Sequence, residues 1–190
     1  MTRFDLYGPV HKGLRALMFD GMAQVARADF DQAEEAGEAG AAVERMLGFL
    51  AEHAEHEDRE ILPELTRLCP ELAADLQADH SRIHGLEQEV AKLVLRLRGA
   101  TGVERRSLGR RIHEKLGTLV AHHLLHMERE EVQAHRVLWA NRSDDELGAL
   151  HERIVGAIAP ARVAEWMKII LPALNGAERA ALVAQAGAAS

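Results

Sequence analysis

Two stretches of this chain place a histidine four residues ahead of a glutamate within apolar, helix-like sequence. "HAEHEDREILPEL" holds His53 with Glu57 and His56 with Glu60, and "HLLHMEREE" holds His126 with Glu130. Four residues make about one helical turn, so each imidazole stacks with its carboxylate on one face. Imidazole and carboxylate together suit a first-row transition metal, provided that the face points inward.

The phase of each helix decides which pairs point inward, because every residue turns an α-helix by ~100°. Val43, Leu47, Leu50, Ile61, Leu65 and Leu68 define one apolar stripe. Glu57 lies ~30° and His53 ~70° from its centre, whereas Glu60 lies ~90° and His56 ~130° away. The inner pair is therefore His53 with Glu57. Leu108, Ile112, Leu116, Leu119 and Val137 define a second stripe, which takes in His126, Glu130 and His123 and leaves out Glu128 and Glu131. His80 sits at the edge of the stripe of Leu72, Leu76, Ile83, Val90 and Leu97, with His84 roughly 120° round. His11 shares a face with Leu14, Met18 and Val25. A carboxylate on an apolar stripe is costly to bury without a positive partner, and no inward Lys or Arg is evident to provide one. The set points to a metal site for iron, copper, zinc or manganese rather than calcium. His56, His113, His122, His135 and His151 read as surface residues.

These side chains must be positioned by long helices. Helix-period patterns fill the sequence and no alternating strand run is bounded by turn residues, so the class is all-α. Pro9 suits the first turn of a helix running to about Glu35. "GEAG" at 37–40 is expected to separate it from a helix over 41–68, and "CP" at 69–70 to separate that from a third ending at Gly99. "GATG" precedes a long fourth helix that carries His126 and Glu130. Four long helices with short joints predict an up-down-up-down four-helix bundle over 1–142. Beyond it, "SDDE" reads as a capping box from Ser143 to Glu146, Pro160 interrupts, and "NGAE" starts another short helix. Residues 143–190 thus form a helical extension, expected to pack on the bundle or on a partner, a second copy included. Trp166, Ile169, Ile170 and Leu171 are its packing stripe.

The 190 residues carry a formal charge of −7, which argues against nucleic acid as a partner. The locally basic run from Lys92 to Arg111 reads as a solvated helix face. A single cysteine, Cys69, cannot form an internal disulfide, and the N-terminal stretch lacks a secretory apolar segment. No stretch approaches 18 uninterrupted apolar residues, so no membrane span is expected. A cytoplasmic location fits.

In chain order, "VHKGLR", "HAEHEDREILPEL", "DHSRIH" and "HMEREE" resemble the motifs of hemerythrin-like proteins of the bacterial (HHE cation-binding) type, over about residues 9–142. The resemblance implies a non-haem di-iron centre: two iron ions joined by an oxo or hydroxo bridge. It implies His11, His53, Glu57, His80, His84, His126 and Glu130 as ligands, with both glutamates available to bridge. The oxygen-carrying hemerythrins have His-x-x-x-x-Asp on the last helix, a spacing met here only by His123 with Glu128. The expected function is to bind or sense O₂, nitric oxide or redox state. The alternatives are a di-iron peroxidase or oxidase acting on peroxide or O₂, and iron storage or sensing. His84 separates the first two, because without it two positions rather than one are open to a small ligand. Paired Glu-x-x-His motifs and the zinc-protease His-Glu-x-x-His are both absent from the sequence.

Overall fold

The computed structural model describes residues 3–188, with side-chain surroundings through residue 182. Among the described residues the regular structure is all helical, with no strand. α1 (Gly8–Arg27) carries Pro9 in its first turn. α2 (Ala33–His56) runs through a π-helical turn (Glu57–Ile61) into α3 (Leu62–Leu68) without a break. α4 (Pro70–Leu97) follows. α5 (Gly102–Arg129) runs through a second π turn (Glu130–Ala134) into α6 (His135–Asn141). The chain then forms α7 (Asp144–Gly156), α8 (Pro160–Ala173) and α9 (Gly176–Ala188).

The first joint lies earlier than the glycines suggest. Ala28 is extended at φ −65° and ψ 130°, and the Asp29 carboxylate accepts from the Asp31 amide at 2.8 Å, a local turn that stops α1. Gly37 and Gly40 of "GEAG" lie inside α2, not between helices. The capping box at Ser143 forms as the sequence predicts, and the helix start expected at "NGAE" is capped in the same way. Ser143 and Glu146 satisfy each other's backbone amides at 3.2 and 2.7 Å, and Asn175 and Glu178 do the same at 3.0 Å each.

α1 packs on α2, α2 on α4, α4 on α5 and α5 back on α1, so the four long helices close a ring. Two apolar clusters fill it. One includes Leu14, Met46, Leu50, Ile83, Leu116 and Leu119; the other includes Leu6, Ile61, Leu65, Leu76, Ala134 and Leu138. His11, His53, Glu57, His80 and Glu130 each fall, in sequence, between a residue of one cluster and a residue of the other, and His126 stands one turn before Glu130. The polar groups therefore form a layer sandwiched by hydrocarbon.

α8 packs on α1, adding Trp166, Ile169, Ile170 and Leu174 to the first cluster. Gly13 makes this approach possible: a Cβ there would stand 3.1 Å from the Ile170 Cα. Trp166 meets Phe49 edge-on at 4.7 Å between centroids and donates its ring N–H to Glu52 at 3.2 Å. Among the described residues no helix is long and apolar enough to cross a membrane.

Candidate metal centre

Each π turn starts at a glutamate of the inner layer, Glu57 in one rod and Glu130 in the other. In a regular α-helix residues spaced by four drift ~40° per step, so a column of four would wind off the core face. A π turn takes in an extra residue and absorbs that drift. His53, Glu57, Ile61 and Leu65 are consequently all buried, and so are His126, Glu130, Ala134 and Leu138.

Six side chains converge in the layer. His11, His53, Glu57 and Glu130 form one group whose donor atoms lie within 4.8 Å of one another, and Glu57, His80, His126 and Glu130 form a second. Both carboxylates belong to both groups. The Nε2 atoms of His11 and His53 face each other at 3.1 Å, and those of His80 and His126 at 2.8 Å. Nitrogens bound at right angles to one ion, each about 2.1 Å from it, lie about 3 Å apart. Glu57 reaches both pairs, with one oxygen 3.0 Å from His53 Nε2 and the other 3.5 Å from His80 Nε2. Glu130 Oε2 lies 3.5 Å from His11 Nε2 and 3.4 Å from His126 Nε2.

The outward nitrogens are held in turn. His11 Nδ1–H donates to Glu131 at 2.9 Å, and Arg15 grips the same carboxylate with two hydrogen bonds at 2.6 and 3.1 Å. His80 Nδ1–H donates to Asp58 at 2.7 Å. Asp79 stands 3.7 Å from His126 Nδ1 and accepts from Arg129 at 2.8 Å. Such carboxylates fix the tautomer, leave Nε2 free to coordinate and make it more basic.

The charges of the cluster's own groups work against one another. Burial opposes charge on His11, yet Glu131, Glu57 and Glu130 lift it to about 9; burial likewise opposes charge on His80, which Glu57, Asp58 and Glu130 lift to about 9. Burial carries His53 and His126 down to about 4 against the pull of Glu57. Glu57 is held well below the usual carboxylate range, the surrounding imidazoles outweighing its burial. Glu130 is pushed up by burial and by the charge of Glu57. Both Glu57 oxygens and Glu130 Oε2 are buried without a hydrogen-bond partner among the described residues. Two buried acid side chains in this state are costly, and cations between the imidazole pairs would satisfy all three of these oxygens at once. The donor set therefore fits metal ions.

Six of the seven sequence-predicted residues meet here. His84 does not: its side chain is 67% exposed and its Nε2 pairs with Gln88 at 2.8 Å. One turn beyond His80 on the regular α4, it has rotated off the inner face. Glu128 is exposed, in keeping with its phase. His123 is buried but turns to Glu87, 3.2 Å away, outside the cluster. His135, expected at the surface, is buried. It accepts the Leu6 amide at 3.1 Å and stacks on Trp139 at 4.4 Å, because the second π turn brings it inward. Glu131, placed off the inner face by its phase, supports His11 from just outside it. The sequence does carry a signal for these supports, since an acid directly follows each inner glutamate: Asp58 after Glu57 and Glu131 after Glu130. Tyr7, four residues before His11, is a further buried residue beside the layer.

No family model, curated protein or solved structure matches this chain.

Proposed function

We propose that this chain is a hemerythrin-like four-helix-bundle protein that holds two iron ions and binds a small oxidant, O₂, nitric oxide or peroxide, beside them. The observation that carries the reading is the sharing of Glu57 and Glu130 by two imidazole pairs, which suits two ions bridged by two carboxylates rather than one ion alone. His11 and His53 would hold one ion and His80 and His126 the other. Iron supplies one-electron redox capacity at each position and takes imidazole and carboxylate together.

The chain's own groups do the rest. Glu131 and Asp58 hold the proton of His11 and His80 on Nδ1, so that Nε2 stays a lone-pair donor. The two apolar clusters exclude water on either side of the layer. Two imidazoles and two shared carboxylates would give each ion about four protein donors, leaving room beside them for a small molecule.

A catalytic reading has one specific observation in its favour, the outward position of His84. Fewer protein ligands leave more room for an oxidant to be bound and turned over, so a peroxidase or oxidase activity gains over simple carriage. The test is metal analysis of anaerobically purified protein, then titration with O₂ and a peroxide-consumption assay. Two irons per chain with stoichiometric O₂ uptake and slow peroxide loss support the binding protein. Two irons with rapid multiple-turnover peroxide loss support the enzyme, and absence of bound iron rules out both.

A further inference from the structure

Residues 3–7 cross the end of the ring as a strap. Arg3 donates to Asp144 at 2.7 Å and to the Trp139 and Arg142 carbonyls at 2.8 and 2.6 Å. The Phe4 carbonyl accepts from the Trp139 indole N–H at 2.8 Å, and the Leu6 amide is taken by His135. Asp5 Oδ1 accepts the Tyr7 and Gly8 amides at 3.2 and 2.7 Å, turning the chain into α1. This well-bonded strap delivers Tyr7, which is 1% exposed, with its ring 5.3 Å from that of His11.

Amid these satisfied groups the Tyr7 hydroxyl has no hydrogen-bond partner among the described residues. The other buried side-chain atoms in that condition all belong to Glu57, Glu130 and His126, members of the cluster itself. A buried phenol without a partner lowers stability, and phenylalanine would fill the same space without that cost. The hydroxyl therefore points to a role at the centre.

We infer that Tyr7 is a hydrogen-bond donor to the small anionic ligand of the centre, held in place by the strap and not itself bound to a metal. The inference rests on the two-iron reading above. A neutral phenol beside two carboxylates offers a proton to an anion without adding negative charge, and it leaves the imidazole and carboxylate ligands undisturbed.

The test uses the Tyr7→Phe full-length protein loaded with iron, oxidised, and titrated with azide as the probe anion. Iron should stay at two per chain. Azide affinity should fall about tenfold or more, the loss expected for a hydrogen bond to a charged acceptor. The metal-free variant should melt no lower than the wild type, since an unpaired hydroxyl has been removed. Unchanged azide affinity overturns the inference. Loss of one iron makes Tyr7 a ligand and also overturns it, as does a lower melting temperature of the metal-free variant, which would assign the hydroxyl a structural partner. A wild-type protein that takes up no iron removes the two-iron reading itself, an outcome distinct from all three.

Discussion

The half of the centre built on His11 and His53 and the half built on His80 and His126 follow one plan. In each, a straight helix and a π-turned rod contribute one imidazole apiece, and both halves share Glu57 and Glu130. The support is crossed: the rod carrying His126 supplies Glu131 to His11, and the rod carrying His53 supplies Asp58 to His80. The surroundings differ. Glu131 is clamped by Arg15, whereas the Asp58 side chain is 43% exposed, and His11 is wholly buried while His80 keeps slight exposure. Identical donors in unequal surroundings should bind two ions with unequal strength, the His11 half more tightly.

The largest expected effect separates shared residues from unshared ones. Glu57→Ala should abolish binding of both ions, because the carboxylate serves each half, whereas His80→Ala should leave one ion in the His11 half. Metal per chain after desalting reads both. Loss of a single ion from Glu57→Ala would mean that the halves are independent sites.

Acidity provides the next test. His11 and His80 hold their protons to about pH 9 in the metal-free protein, and ions must displace them. Apparent metal affinity should therefore rise with pH and level off near 9, with proton release measurable by calorimetry in two buffers. Stability of the metal-free protein should run the other way. A raised histidine stabilises fully below its unfolded value of about 6.5, and the contribution is lost as pH climbs through 9. His53 and His126, held down to about 4, are neutral in the folded state throughout that window and shed only their remaining unfolded-state protons near its lower end, a gain too small to offset the loss. A flat melting profile from pH 6.5 to about 9 would contradict this balance.

The supporting carboxylates should matter less than the ligands. Glu131→Gln and Asp58→Asn should each weaken metal binding by about 10–100-fold, each in its own half. Competition with a chelator, followed step by step, separates the two losses; equal weakening of both steps by either variant would remove the crossed-support assignment. The smallest effect belongs to His84→Ala. It should leave metal content unchanged and shift stability within about 0.5 kcal/mol, as for an exposed residue whose one hydrogen bond, to Gln88, lies at the surface.

The regular parts of this architecture were legible because they obey one period. The inward phase of His53 and Glu57 is legible because Val43, Leu47 and Leu50, ahead of the π turn, already set the same stripe, where α-helical counting still holds. Beyond the second π turn the counting fails, which is why His135 reads as a surface residue although it is buried. His84 fails for the opposite reason: α4 stays regular, nothing absorbs the drift, and resemblance alone had drawn the residue inward. Glycine misleads in "GEAG", where Gly40 faces Val94 and Leu97 of α4, and the true stop is an aspartate turn at residues 28–32. Tyr7 and the crossed acids were hidden because their roles depend on which helices become neighbours, and periodicity within one helix does not reveal that.

The central claim is a pair of ions bridged by Glu57 and Glu130, and the most direct measurement is an anaerobic ferrous titration of metal-free protein followed by Mössbauer and magnetic measurements on the oxidised sample. The account predicts uptake that ends at two irons per chain and ferric ions that are magnetically coupled to each other. A titration ending at one iron, or two ferric ions that behave as isolated paramagnets, would contradict it.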